Sequence, residues 1–364
     1  MLVQDYLKSK TLDDLHAELS IEVSRHDTLP LAILNYNQIE SPKTHPIVRE
    51  CRGLVLNTED NSLVARAFPR FFNWGEVADE MPLFNWDKAT ALEKVDGSLC
   101  LFYCFNGQWH VNTRGSFAGG SMFNTDWQAK YHKMPQEFTW KQGILAALGI
   151  KDLSELNLDP ALSYACEFCS LWNKVVREYP QPCIYLLSCF NGETEVGPQP
   201  CPLMRNVESY LLRSADDVME YVSKHPEATF EGCVVKDDAH RRWKIKNPRY
   251  LSLHKMKGAS GEGLYNPKNL LPFILQGEGD ELLAVYPEIK ECFDSYKDKV
   301  NSAYAELERV WLASKDIENQ KEFALSIVGK TPFTGVLFTA RKMKLSIKEV
   351  WAKHDDGILK TLFK

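Results

Sequence analysis

Lys94 lies two residues before an acid and three before a glycine, in the run Leu92-Glu93-Lys94-Val95-Asp96-Gly97-Ser98. A lysine attacks phosphorus only as the free amine, so such a use requires its pKa to fall well below the model-peptide value. Nearby cations and a dry pocket produce that fall. Lys244 and Lys246 are the candidate cations: they stand two apart in the strand-like Trp243-Lys244-Ile245-Lys246 and so face one side. Gly97 permits the close backbone approach that a phosphate or nucleotide needs. Lys-x-Asp-Gly alone is a common string, and it gains weight only from partners elsewhere in the chain.

The elements that must position these residues are legible as hairpins. Leu99 to Phe105, then Asn106-Gly107, then Gln108 to Asn112 reads as a strand pair closed by a type I′ turn. Cys183 to Phe190 followed by Asn191-Gly192 repeats the signal, and Glu231 to Val235 with Arg242 to Lys246 forms a third pair. Helical stretches such as Thr11 to Leu19 and Ser214 to Lys224 lie between them. Strand pairs mixed with helices, without regular βαβ alternation, predict an α+β domain on antiparallel sheets. Gly258-Ala259-Ser260-Gly261-Glu262-Gly263 is linker-like. From Pro287 the period turns helical: Val300, Ala303, Tyr304, Leu307, Val310 and Trp311 share a face, and Phe323, Ile327 and Val328 continue in a second helix stopping near Gly329. The predicted domains are residues 1–257 and an all-helical 258–364.

Composition, at 44% apolar and 25% charged, is that of a soluble globular chain. The N-terminus lacks the build of a signal peptide and no apolar run could span a bilayer, so an intracellular location is expected, in a host cell if the source is viral. Ten cysteines are then expected to be reduced. Cys166 and Cys169 match CxxC, but on a strand they face opposite ways, and a structural role is expected. The net charge of −6 argues against general polyanion binding. Positive charge is local instead: Lys236, Arg241, Arg242, Lys244, Lys246, Arg249, Lys255 and Lys257 form one cluster, and Arg341, Lys342, Lys344, Lys348, Lys353, Lys360 and Lys364 another. Both fit a phosphate or nucleic-acid track, the second equally a solvated helix face.

Four runs occur in order: Lys94-Val95-Asp96-Gly97-Ser98, Tyr164-Ala165-Cys166-Glu167-Phe168, Glu231-Gly232-Cys233-Val234-Val235 and Trp243-Lys244-Ile245-Lys246. Together they resemble the motifs of the covalent nucleotidyltransferase superfamily of DNA ligases, RNA ligases and mRNA-capping enzymes. Leu34-Asn35-Tyr36-Asn37, Glu50-Cys51-Arg52-Gly53, Arg70-Phe71-Phe72-Asn73, Arg114-Gly115-Ser116 and Tyr250-Leu251-Ser252-Leu253-His254 narrow the likeness. They resemble the RNA ligase family typified by the first, tRNA-repair RNA ligase of T-even bacteriophages. The helical tail from Asp294-Ser295-Tyr296-Lys297 is similar too. Arg70 and Arg114 stand where that family has lysines. Arginine keeps the charge and adds a planar fork suited to phosphate.

The resemblance implies an antiparallel-sheet, ATP-grasp-like nucleotidyltransferase domain with a helical RNA-specificity domain. It implies an ATP-dependent ligase that joins 5′-phosphate and 3′-hydroxyl ends of tRNA-like RNA. Lys94 becomes adenylated, the adenylate moves to the RNA 5′-phosphate, and the 3′-hydroxyl displaces AMP. Lys244 and Lys246 hold the α-phosphate, Arg52 and Arg70 meet the β- and γ-phosphates, and Arg114 and Tyr250 join the nucleotide-binding set. Glu167 reaches the ribose, Glu93 lies near the base edge, and Glu231 with Glu167 orients hydrated Mg²⁺, or Mn²⁺ in its place. Each residue alone has a structural reading: a surface ion pair for Arg52, a sheet edge for Glu167, a solvated face for the lysines, packing for Tyr250 and His254. Their ordered coincidence favours the ligase over a capping guanylyltransferase or DNA ligase, which would need a C-terminal β-barrel. It also favours the ligase over a non-catalytic nucleotide- or RNA-binding protein. A separate end-healing kinase/phosphatase is expected as a partner, and no membrane.

Overall fold

A computed structural model of the chain describes residues 1–38, 40–118, 138–227, 229–257, 262–276, 279, 282–283 and 286–363. The chain divides into two units, Met1–Leu251 and Ser252–Lys364.

The first unit contains three sheets. Sheet one runs β1 (Ile21–Arg25), β2 (Leu31–Tyr36), β3 (Arg52–Asn57), β4 (Leu63–Ala65), all antiparallel. Every residue of β2 is buried, because helices cover one face of the sheet and sheet two covers the other. The helices are α1 (Leu2–Tyr6), α2 (Leu12–Leu19) and α3 (Pro46–Glu50), whose Val3, Leu15 and Val48 pack with Ile21, Leu34 and Leu54. Thr11 caps α2 by accepting the Asp14 N–H at 3.2 Å, while the Asp14 carboxylate accepts the Thr11 N–H at 2.8 Å.

A second and a third sheet share the remaining strands. Sheet three holds β5 (Phe72–Asn73) and β6 (Thr90–Glu93), sheet two holds β7 (Ser98–Phe105), β8 (Gln108–Thr113), β9 (Leu162–Cys169), β10 (Cys183–Asn191) and β11 (Thr194–Glu195). Sheet two has the order β11-β10-β9-β7-β8, with β12 (Arg205–Asn206) pairing parallel to β10. Asn106 and Gly107, at φ 51° and 74°, close the β7–β8 hairpin so that Phe105 pairs with Gln108. Strand β7 is apolar on both faces. Cys100 and Phe102 pack with Ile144 and Leu148 of α4 (Trp140–Leu148), while Leu99, Leu101 and Tyr103 pack with Leu31, Ile33 and Val55 of sheet one. Truncating fully buried Phe102 to alanine removes about 3–5 kcal/mol of such packing. Sheet three has the order β13 (Ser209–Tyr210), β6, β14 (Gly232–Lys236), β15 (Arg242–Lys246), β5, the last pair parallel. Helix α5 (Ala215–Lys224), capped by Ser214, lays Val218 and Val222 against Trp243 and Ile245. The alternation of β15 therefore sends Lys244 and Lys246 to the opposite face. The unit is α+β on predominantly antiparallel sheets, as the hairpin signals predict.

The described elements of the second unit are helical. They run from α6 (Pro248–Lys257), which straddles the division, through α7 (Pro267–Gln276), α8 (Lys290–Ser314), α9 (Gln320–Ile327), α10 (Thr334–Met343), α11 (Ile347–Trp351) and α12 (Asp355–Leu362). Val300, Leu307 and Val310 are buried with Phe323 and Ile327, and Ala303, Tyr304 and Trp311 pack at the margin. Val328 departs from the expected stripe. It follows the last turn of α9 and is 64% exposed, because the backbone turns extended there. His254 is exposed. Of the linker-like stretch, residues 258–261 lie outside the described residues, as does Lys364 and as do the side chains of Lys255 and Lys257. None of the described helices is long and apolar enough to cross a membrane.

Much of the charge clustered in sequence is neutralised locally. Glu195, 6% exposed, accepts from Arg242 and lies 3.4 Å from Lys236 Nζ, while Arg241 donates to Asp237 at 2.8 Å. Arg341 donates to the carbonyls of Ile317 and Glu318 at 2.5 and 2.7 Å, its guanidinium 4.3 Å from the Phe323 ring centroid. Lys342, Lys344, Lys348, Lys353 and Lys360 remain exposed. All ten cysteines are free thiols, and Cys166 and Cys169 face opposite cores as expected.

Burial pushes the Glu195 carboxyl up, but Arg242 and Lys236 prevail and hold it at about 2 against an ordinary 4.5. An acid depressed in the folded state contributes stability above its unfolded pKa and loses it as pH falls toward the folded value. In urea denaturation, Glu195→Gln should be less stable than the parent near neutral pH by about 3 kcal/mol. It should also lack the parent's loss of stability between about pH 4.5 and about pH 2. Equal acid profiles would show that the Glu195 cluster contributes nothing to the fold.

Candidate active site

The Lys94 run links β6 of sheet three to β7 of sheet two, and nearly every polar group in it is pinned. The Lys94 N–H donates to the Gly232 carbonyl at 2.8 Å, and the Glu93 N–H to the Glu208 carbonyl at 2.9 Å. Asp96 is 4% exposed. Its Oδ2 accepts the N–H groups of Val176 (2.9 Å) and Arg177 (2.7 Å), and its Oδ1 accepts the Tyr250 hydroxyl at 2.8 Å. The Ser98 hydroxyl accepts from Asn173 at 3.0 Å. A Cβ at Gly97 would lie 2.4 Å from the Phe168 carbonyl oxygen and 2.8 Å from Cys169 Sγ. The close approach at Gly97 is thus to β9.

That clamp aims Lys94 at Glu231. Lys94 Nζ lies 2.7 Å from Glu231 Oε2, and Lys246 Nζ 2.9 Å from Oε1; Glu231 itself is 5% exposed. Burial alone would disfavour the Lys94 ammonium, but Glu231 and Glu167 outweigh it and hold the amine above its ordinary pKa. The sequence predicts the reverse, because it reveals the two lysines but not that Glu231 stands between them and Lys94. The depressed amine is Lys244: burial, then Arg52, Lys94, Arg70 and Lys246, bring it down to about 7. Burial pushes the Glu167 carboxyl up to about 7, against the pull of Lys94 and Arg52.

A cavity of about 190 Å³ opens over these groups. Arg52, Lys94, Glu167, Lys244 and Lys246 line its polar side, and Leu92, Leu187, Val207 and Val234 form an apolar slot. Phe68 and Phe71 support the cations. Arg52 and Arg242 each sit 4.9 Å from the Phe68 ring centroid, and Lys244 Nζ 4.7 Å from that of Phe71. Glu93 lines the slot with its carboxylate held by Arg177 at 2.5 Å.

Arg70 and Arg114 do not line this cavity. They gather with Arg52 around buried Tyr36: Arg70 donates to its hydroxyl at 3.1 Å, and Arg70 and Arg114 stand 5.1 and 5.6 Å from its ring centroid. Burial pushes the Tyr36 phenol up, yet Arg52, Arg114 and Arg70 together leave it below its ordinary value. Arg52 Nη1 and Arg70 Nε are buried without a hydrogen-bond partner among the described residues. An anion of several oxygens would satisfy both. Tyr250, 1% exposed, serves Asp96 and is outside the cavity lining.

The residues present fit a hard divalent cation. Two neighbouring carboxylates, Glu167 and Glu231, oppose each other's ionisation, and no hydrogen bond to the Glu167 carboxylate occurs among the described residues. Those residues contain no cluster of three acids or other metal-binding side chains, so such an ion would keep most of its waters. Sequence pattern does not single out Phe68 or Arg177, and it carries Tyr36 only within a quoted run and Arg242 only within a basic cluster. Arg242 had a usable signal, since it stands two residues before Lys244 on one strand. The others arrive from distant loops and strands, and only folding brings them here.

Comparison with known proteins agrees with this geometry. The family model described as RNA ligase matches residues 50–250, more than half the chain. A protein of Autographa californica nuclear polyhedrosis virus, named for bifunctional polynucleotide kinase and RNA ligase, is 28% identical over 93% of this chain. The chain spans about half of that relative, 49% of its length. The RNA ligase of Rhodothermus phage RM378 is 25% identical over 76% of this chain and 78% of its own. Among solved structures, an archaeal ATP-dependent RNA ligase aligns over 99% of both chains at 15% identity, with a TM-score of 0.44 too low to bear on function.

Removing the Tyr250 hydroxyl takes one donor from a buried carboxylate. Tyr250→Phe should cost about 1–3 kcal/mol in urea denaturation while leaving nucleotide affinity unchanged by titration calorimetry. A large loss of affinity at unchanged stability would return Tyr250 to the ligand-contacting set.

Proposed function

The chain belongs to the RNA ligase family, and from that premise we propose that it is an ATP-dependent RNA ligase that joins a 5′-phosphate to a 3′-hydroxyl. The observation that carries this reading is the Lys94 amine 2.7 Å from Glu231, beside an apolar slot and two further lysines. Lys94 Nζ attacks the α-phosphorus of ATP, the N–P bond forms, and pyrophosphate leaves. An oxygen of the RNA 5′-phosphate then attacks the same phosphorus and the Lys94 amine departs. In the last step the 3′-hydroxyl attacks the activated 5′-phosphorus, AMP leaves and the strand is sealed.

Each step places negative charge on a phosphoryl group, so positioned cations carry the catalysis. Lys244 and Lys246 hold the α-phosphate. Arg52, Arg70 and Arg114 hold the β- and γ-phosphates, whose oxygens would satisfy the buried guanidinium nitrogens. Glu167 reaches the ribose, and Glu93, fixed by Arg177, lies near the base edge above Leu187, Val207 and Val234. Hydrated Mg²⁺, or Mn²⁺, held through Glu231 and Glu167, would supply charge that offsets the carboxylates now keeping Lys94 protonated. The absence of any strand from the described residues of Ser252–Lys364 supports RNA sealing over capping or DNA joining. That unit selects tRNA-like ends. Free thiols throughout support a reducing, cytoplasmic setting, in a host cell if viral. The kinase name of the viral relative supports end-healing chemistry as a companion to sealing.

Incubation with ATP labelled at the α-phosphate and Mg²⁺ should leave acid-labile, alkali-stable label on the protein, and Lys94→Ala should abolish it. Label from GTP alone would point to capping chemistry, and no label from either would sink the enzyme reading. Deleting the residues after 258 should spare that labelling and impair sealing of broken tRNA. Unchanged sealing by the truncated chain would remove the helical unit from substrate choice.

A further inference from the structure

The unit Met1–Leu251 contains a second cavity, of about 610 Å³, that shares no lining residue with the Lys94 pocket. Its walls come from the outermost strands of two sheets, β1 of sheet one and β8 of sheet two. Such strands keep backbone donors and acceptors free of a further strand along much of their length. Trp109, His110 and Phe117 are in its lining, His110 stacked on Tyr103 with centroids 5.6 Å apart and His26 edge-on to Phe117 at 4.8 Å. Lys141 and Arg25 supply positive charge. Lys141 makes no close ion pair among the described residues, though its charge adds to the Ser154 hydrogen bonds in lowering the Asp152 carboxyl, whereas Arg25 meets Asp13 at 3.3 Å on the surface. Asp27 is the anionic group in the described lining.

This cavity is joined to the arginine cluster by one braced turn. Arg114 stands over Tyr36, while Ser116 and Phe117, two and three residues later, line the cavity. The Thr113 N–H donates to the Ser116 carbonyl at 2.9 Å, and the Ser116 N–H to Thr113 Oγ1 at 3.1 Å. From the other sheet, Ser24 Oγ donates to the Gly115 carbonyl at 2.8 Å. Arg114 and Phe117 are three residues apart, so their Cα atoms lie within about 10 Å of each other.

Resting on the ligase reading above, we propose that this cavity receives one unstacked base of single-stranded RNA, with Lys141 and Arg25 holding the phosphates beside it. Aromatic walls with flanking cations are how sequence-tolerant single-strand sites work, because every base has a π face and every linkage a charge. Burial, then His26 and Lys141, keep the His110 imidazolium disfavoured, so His110 takes part as a neutral ring.

The full chain is irradiated with single-stranded RNA carrying 5-iodouridine, and adducts are mapped by mass spectrometry. Adducts are expected on the peptides holding Trp109 or Phe117. Trp109→Ala and Lys141→Glu should each weaken RNA binding by fluorescence anisotropy about tenfold, with label from ATP alone on Lys94 unchanged. Lys141→Glu, a half-buried side chain outside the cores, keeps the test open should the tryptophan variant unfold on heating. Adducts confined to other surfaces, with Lys141→Glu binding RNA as the parent does, would overturn the proposal. Failure of the parent to label with ATP would instead overturn the ligase reading, and the adduct map would still decide the cavity.

Discussion

The ion pair between Lys94 and Glu231 is the constraint around which the first unit is arranged. The Glu231 carboxylate, almost wholly out of water, is tolerable there because Lys94 and Lys246 both hold it, and stripping a buried charge of its partners costs about 3–5 kcal/mol. The meeting of Lys94 and Glu231 is a matter of strand register. Glu93 pairs with Cys233 across β6 and β14 and the Lys94 N–H donates to the Gly232 carbonyl, so Lys94 leaves the ladder next to Glu231, the residue just before β14. A one-residue slip between the two strands would break that meeting. The amine is thus stored as an ammonium, and its release depends on what neutralises Glu231.

The second requirement is that the link carrying Lys94 remain still while charge changes around it. Asp96 meets it by taking three hydrogen bonds from groups far away in sequence. Gly97 meets it by lying so close to β9 that no side chain fits. Glu167 is on that same strand, so the link carrying Lys94 and the Glu167 carboxylate share one support. The aspartate and glycine of Lys-x-Asp-Gly are in this sense structural members of a chemical motif.

Sequence made Lys94, Glu167, Glu231 and the lysine pair legible, because each lies in, or directly beside, a short strand. The hairpins followed from Asn-Gly turns, and α8 from an unbroken helical period. Less was legible where function depends on sheets meeting. Nothing local says that Tyr36, Arg52, Arg70 and Arg114 converge, since they come from β2, β3, the approach to β5 and the turn after β8. The sign of the Lys94 shift was unreadable for the same reason. Lysine neighbours can be counted in a sequence, but which of them a carboxylate screens is settled only in space. Val328 failed more simply, as a periodic position just past the point where the helix ends.

The replacement of lysine by arginine around Tyr36 divides the protons of the site into two groups. Guanidinium groups keep their charge across the whole physiological range, whereas Lys244 has its amine near 7. Under the proposed binding mode, then, a nucleotide's inner phosphate meets a cation that titrates near neutrality and its outer phosphates meet cations that do not.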